Sequence, residues 1–164
     1  MKTLLVIRHA KAESSFTLND FERPLNERGK KDAPEMALRL KAKKIHVDAF
    51  ISSPAARAKK TASLFCQTLG GNADDIIFIT ALYHAPDTVF YEAIKNIDNQ
   101  FNTVAIFAHN PGITHFVNQL TTVKTDNMPT CAVFAITVAA TEWKDFAKAK
   151  KELLFFDYPK KQVW

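Results

Sequence analysis

Three short stretches carry residues suited to chemistry on an anion: Arg8-His9, Arg57, and His109-Asn110. The planar fork of arginine matches phosphate oxygens in bidentate geometry and stays charged at any working pH. A neutral imidazole attacks phosphorus and forms a phosphoramidate, which makes His9 the candidate nucleophile. Flanking arginines should push its pKa below the ordinary value of about 6.5 and keep the ring neutral. His109, protonated once phosphate is bound, would stabilise the equatorial oxygens during transfer. Each arginine about 4 Å from an oxyanion supplies roughly 4 kcal/mol of Coulomb attraction at an effective dielectric near ~20. That orders a small anion, but breaking a bond needs the imidazole. Taken singly, each of these residues has a bland use as surface decoration, a turn cap or an exposed helical side chain. The chemistry rests on their meeting.

Rival chemistries find less support. Cys66 lies in an amphipathic stretch and Cys131 opens an apolar run, so both are expected as buried or partly buried thiols. Ser52 and Ser53 read as a strand end and a helix cap, and no serine has an evident general-base partner. Zinc is not expected, because the five histidines (His9, His46, His84, His109, His115) show no H-E-x-x-H and the cysteines no paired spacing. Glycine occurs only at Gly29, Gly70, Gly71 and Gly112, so neither a Walker-type phosphate loop nor a dinucleotide fingerprint can be written.

The elements that must position these residues alternate. Residues 3–7 form a continuous apolar run, as a central strand covered on both faces requires. A polar loop then runs to about Leu25. A helix is expected from an Asn26 cap to about Lys44, with Ala33, Met36, Ala37 and Leu40 on one stripe and Pro34 kinking or restarting it. Residues 48–51 give a second strand. Ser53 then caps a helix with Pro54 at its first position, Arg57 in its first turn and Gly70-Gly71 at its end. Residues 76–79 suggest a third strand, 87–97 a helix, 103–108 a fourth strand, and a helix from the 109–112 turn to about Leu120. Residues 132–139 and 153–156 are late strands, antiparallel at an edge. The pattern implies an α/β fold of one domain over residues 1–164: three layers, a mostly parallel central sheet with helices on both faces. Ligands of such sheets bind outside the carboxyl ends of the strands. Arg8-His9, Ser52-Ser53 with Arg57, and His109-Asn110 all come directly after strand ends. The N–H of Asn110, at a helix start, adds a further donor for the anion.

Composition agrees with a globular chain: 47% of the 164 residues are hydrophobic and 24% charged. No apolar run approaches the ~20 residues of a membrane span. The N-terminal apolar stretch is too short for a secretion signal and runs directly into Arg8-His9. With no expected disulfide, a reducing, cytoplasmic location is expected. The net charge of +5, concentrated partly in the lysine-rich C-terminal third, permits attraction of an anionic substrate or acidic partner. Nucleic acid is not favoured, for want of aromatic-basic interleaving.

These residues resemble a known family. Arg8-His9-Ala10 is similar to the N-terminal R-H-G/A motif of the histidine phosphatase (phosphoglycerate mutase-like) superfamily. Ser52-Ser53-Pro54-Ala55-Ala56-Arg57-Ala58 resembles its S-S-P-x-x-R-A motif, and His109-Asn110-Pro111-Gly112 its second-histidine motif. Residues 20–29 and Leu82-Tyr83-His84-Ala85 resemble the SixA-type phosphohistidine phosphatases more closely. The likeness spans about residues 1–122. It implies that His9 carries the phosphoryl group, that Arg8 and Arg57 clamp it, that His109 completes the pocket, and that neither metal nor organic cofactor takes part.

The family's usual proton donor is a carboxylate in the region that here reads Leu82-Tyr83-His84-Ala85, where neither Glu nor Asp stands. Glu13, Asp20, His84 and Asp87 remain as unranked candidates. Arg23 either widens the anion site or pins its loop through a carboxylate such as Asp20. Without a positioned acid, worth about 10²–10⁴-fold, an alkoxide leaving group is disfavoured relative to the imidazole of phosphohistidine. The expected substrate is therefore a phosphohistidine on a signalling or phosphotransfer protein, with inorganic phosphate as product. A small phosphorylated metabolite, or phosphoprotein binding without catalysis, are the alternatives.

Overall fold

In a computed structural model, which describes residues 1–14 and 17–161, six strands form one sheet in the order β3-β2-β4-β1-β5-β6. The strands are β1 (Lys2–Arg8), β2 (Ala49–Ser52), β3 (Ile77–Phe78), β4 (Thr103–Ala108), β5 (Val133–Val138) and β6 (Lys151–Asp157). β1 to β4 run parallel, whereas β5 is antiparallel to both β1 and β6. This is the α/β sandwich of the phosphoglycerate mutase-like fold, with a mostly parallel sheet and an antiparallel edge.

Period-2 alternation in β1 sends Leu4 and Val6 to one core and Leu5 and Ile7 to the other. The first core joins the sheet to α3 (Asp87–Lys95) and α4 (Gly112–Val117) through Phe90, Ile94 and Phe116. The second joins it to α1 (Glu27–Ala42) and α2 (Ala56–Thr68) through Met36, Leu40 and Phe65. All four residues Leu4–Ile7 are fully buried, which is why the strand reads as an unbroken apolar run.

Local expectations meet tertiary context in four places. Asn26 caps α1 as expected, its side chain accepting from the Gly29 N–H. The helix continues through Pro34 without restarting, held by its buried stripe Ala33, Met36, Ala37 and Leu40. Ser53 is not the cap of α2, which begins at Ala56 behind Ala55. β3 pairs over two residues only, because it lies at the sheet edge with β2 as its single partner strand. Both cysteines are buried free thiols. No helix among the described residues is long and apolar enough to cross a membrane.

Candidate active site

β1, β4 and β2 are adjacent and end in register, with Arg8 opposite Ala108 and Phe107 opposite Ser52. The ladder runs one residue further. His9 N–H bonds the Ala108 carbonyl at 3.2 Å, and Ser53 N–H the Phe107 carbonyl at 3.0 Å. Residues just past three separate strands thus share one rim. His9, Arg8, Arg57, His109 and Asn110 all line a cavity of about 500 Å³ there.

The loop after His9 is anchored on two sides. Ala10 N–H donates to Thr61 Oγ1 of α2 at 2.9 Å, and Lys11 carbonyl accepts from Asn26 N–H at 3.0 Å. That loop passes so close to α1 that a Cβ on Gly29 would stand 2.2 Å from the Lys11 carbonyl oxygen, so glycine is required. Gly112 likewise admits the Ala85 carbonyl, 1.8 Å from where a Cβ would be. At the end of β1, Cys131 adopts a left-handed backbone (φ 62°) and donates its N–H to both the Arg8 and His9 carbonyls.

The His9 ring is oriented by its own chain. Nδ1 lies 2.7 Å from the Ala10 carbonyl oxygen. A carbonyl only accepts, so Nδ1 carries the hydrogen and Nε2 presents a lone pair. Arg57 Nε donates towards that nitrogen at 3.4 Å. The His109 ring centroid is 5.1 Å from that of His9, and its Nε2 lies 2.8 Å from Ser53 Oγ. Ser53 therefore has a histidine partner after all, supplied by β4, and its Oγ also accepts from Ala55 N–H. Burial, with lesser help from neighbouring positive groups, pushes both His9 and His109 down to about 3. The arginines lower His9 as expected, but desolvation is the larger cause.

The cationic frame is held by hydrogen bonds. Arg57, itself buried, donates Nη1 to the Asp20 carbonyl at 2.6 Å and Nη2 to Asp20 Oδ2 at 3.0 Å. Tyr83 hydroxyl donates to the same Oδ2 at 2.6 Å, and Arg23 reaches Oδ1 at 3.0 Å. The Tyr83 hydroxyl first, then the guanidiniums, hold the Asp20 carboxyl well below the usual carboxylate range. Arg8 donates Nη1 to the Met128 carbonyl at 2.8 Å, and Asn110 Nδ2 reaches the same oxygen at 3.2 Å. Arg8 Nε and His109 Nδ1 are buried and lack a hydrogen-bond partner among the described residues. Such orphans are uncommon in folded proteins. Both belong to groups surrounding the same hollow.

Of the four acid candidates, Asp20 and His84 line the cavity, whereas Glu13 and Asp87 are not part of its wall. Asp87 instead accepts from Gln119 at the start of α3. Arg23 pins the loop through Asp20 and the Glu13 carbonyl, and it also lines the cavity. Asn110 stands two residues before α4, behind a Pro111 cap, so its N–H is not in the helix's first turn. Lys11, Tyr83 and Thr130 also line the site and were not singled out from sequence. Tyr83 adjoins His84 within residues 82–85, and its ring contact with His84 (centroids 3.9 Å apart) reflects that adjacency. Among the described residues no group of three or more His, Cys, Asp or Glu side chains is arranged to hold a metal.

Residues 4–80 match the Histidine phosphatase superfamily (branch 1). No curated protein matches the chain by sequence. Solved structures share its fold. The SixA protein of Agrobacterium tumefaciens is 23% identical, with 96% of this chain and 98% of that one covered at a TM-score of 0.79. The protein histidine phosphatase SixA complexed with tungstate is 20% identical, with 96% and 97% covered at 0.80. A mycobacterial glucosyl-3-phosphoglycerate phosphatase is more distant, 14% identical with 93% and 97% covered at 0.67. The family match covers 77 of the 164 residues, and the likeness to these solved structures is one of fold.

Proposed function

We propose that the protein is a phosphohistidine phosphatase in which His9 carries the phosphoryl group. The observation that carries the reading is the orientation of His9: Nδ1–H is committed to the Ala10 carbonyl, so Nε2 offers its lone pair beside the Arg57 guanidinium. Nε2 attacks phosphorus as the bond to the leaving group breaks. Water then attacks the phosphorus bonded to Nε2, the N–P bond breaks with its electron pair returning to Nε2, and inorganic phosphate departs. Arg8 Nε and Arg57 neutralise the oxyanion. Ser53 O–H donates to His109 Nε2, so that ring's hydrogen sits on Nδ1, the orphaned atom, where it serves an equatorial oxygen.

The substrate class is supported by the state of Asp20. Three donors keep it ionised, so it holds no proton for an alkoxide. An imidazole leaving group needs far less acid assistance, and solvent suffices to protonate it. A small phosphomonoester is the second reading, favoured by His84, whose imidazole lines the cavity.

The test is mass spectrometry of protein quenched at alkaline pH during turnover of phosphoimidazole. An acid-labile, base-stable phosphoryl group is expected on His9 and absent from His9→Ala, with turnover in the variant reduced by about 10⁴-fold or more. Wild-type protein that turns over phosphoimidazole without this label would refute the assignment. Rates on a sugar phosphate far above those on phosphohistidine would select the second reading.

A further inference from the structure

A second hollow, of about 330 Å³, adjoins the catalytic cavity, and Arg8, Lys11 and Thr130 line both. Its other walls come from distant parts of the chain: Arg28 and Asp32 on α1, and Tyr158, Pro159 and Lys160 beyond β6. We propose that this groove binds an acidic segment flanking the phosphorylated histidine of a protein substrate. The inference rests on the phosphohistidine reading above and extends it to substrate choice.

Charge supplies the first argument. Arg8, Lys11, Arg28 and Lys160 face one buried carboxylate, Asp32, so the groove is strongly cationic. The spread of that charge supplies the second. The cations stand on three separate walls with Pro129, Pro159 and Tyr158 between them. Arg28 Nε is already given to Asp32 at 3.0 Å, so its fork is not wholly free. A compact phosphate wants convergent forks, whereas spaced cations interleaved with apolar surface suit carboxylates along a peptide.

The far wall is also built rather than draped. Arg39 of α1 donates to Asp157 Oδ1 at 3.1 Å, the Tyr158 carbonyl at 3.0 Å and the Pro159 carbonyl at 3.1 Å. Lys161 Nζ reaches back to the Phe156 carbonyl at 2.6 Å. These bonds hold the 157–160 segment opposite Lys11 and Arg28. The lysine-rich end of the chain thereby gains a use near the site instead of being only a solvated face.

The experiment uses two synthetic peptides of equal length, each phosphorylated on a single histidine, one with glutamate flanks and one with glutamine flanks. Wild-type protein should prefer the glutamate peptide about tenfold in kcat/KM at low ionic strength, chiefly through KM, and less as salt is added. Lys160→Glu, alone and with Arg28→Gln, should remove most of that preference while leaving phosphoimidazole turnover unchanged. Lys160 is exposed, so the single variant tests the groove even if the double variant melts early. Equal turnover of both peptides by wild type, or a preference that survives both variants, overturns the groove assignment alone. No turnover of either peptide overturns it together with the phosphohistidine reading.

Discussion

His9 and His109 lie at the ends of adjacent strands, are equally buried, and are both pushed to about 3, yet opposite nitrogens hold their rings. His9 is fixed through Nδ1 by a backbone carbonyl one residue away, and His109 through Nε2 by a serine from the end of β2. Burial alone would make the two rings interchangeable. The hydrogen-bond partner makes them different, exposing an acceptor on one and, on the proposed assignment, a donor on the other. A local partner also costs the fold less: Ala10 is placed wherever His9 is, whereas Ser53 must be delivered by the pairing of β2 with β4.

The sharpest way to break this comparison is to remove His109 and ask whether the first half of the reaction survives. His109→Ala should lower kcat by about 10²–10³-fold, as expected for loss of one donor to the transferring phosphoryl group. The alkaline-stable label should still appear on His9, only more slowly. A variant that keeps wild-type kcat, or that moves the label to another side chain, would show that the roles have been wrongly divided.

Sequence made one side of this arrangement legible and left the other obscure. Apolar runs at 3–7 and 103–108 identified two buried parallel strands, and parallel neighbours must deliver their next residues to the same end of the sheet. Convergence of Arg8, His9, Arg57 and His109 at one rim could therefore be reasoned from topology. Ser53 could not be assigned, because a helix-cap reading is local while its histidine partner stands 56 residues away. Asp20 was one carboxylate among several candidates. Its contacts with Arg57 and Tyr83 span 37 and 63 residues, so no spacing rule isolates it. The run at 76–79 does mark a strand, but its edge position leaves it only two paired residues.

Asp20 offers the next test, because it sits against Arg57 on the His9 side. If it is an ionised anchor, Asp20→Asn frees part of the guanidinium and removes a negative charge beside the cavity. Inhibition by inorganic phosphate should then strengthen by about three- to fivefold, the range expected for a partly exposed ion pair, with kcat on phosphoimidazole changed little. A general acid at this position behaves differently: kcat on an alkyl phosphate would fall by about 10²–10⁴-fold. That second outcome would return Asp20 to the role of proton donor and favour the small-substrate reading.

The smallest effect concerns stability, and it treats the two rings alike where the chemistry separates them. Both are held neutral in the folded protein down to about 3, whereas in the unfolded chain they take up protons near the ordinary value of 6.5. Between those limits the unfolded state binds more protons than the folded one, so stability is full above about pH 6.5 and declines as pH falls towards 3. Asp20, held below the usual carboxylate range, adds its own loss only at the lower end of that window. Melting temperatures compared at pH 7, 5.5 and 4.5 should therefore drop less steeply in His9→Asn and in His109→Asn than in wild type. The flattening should be similar in the two variants, since burial is the leading cause for both. An acid limb as steep as that of wild type in either variant would mean that its imidazole takes up a proton within the fold, and the lone pair assigned to His9 Nε2 would then be lost well above pH 3.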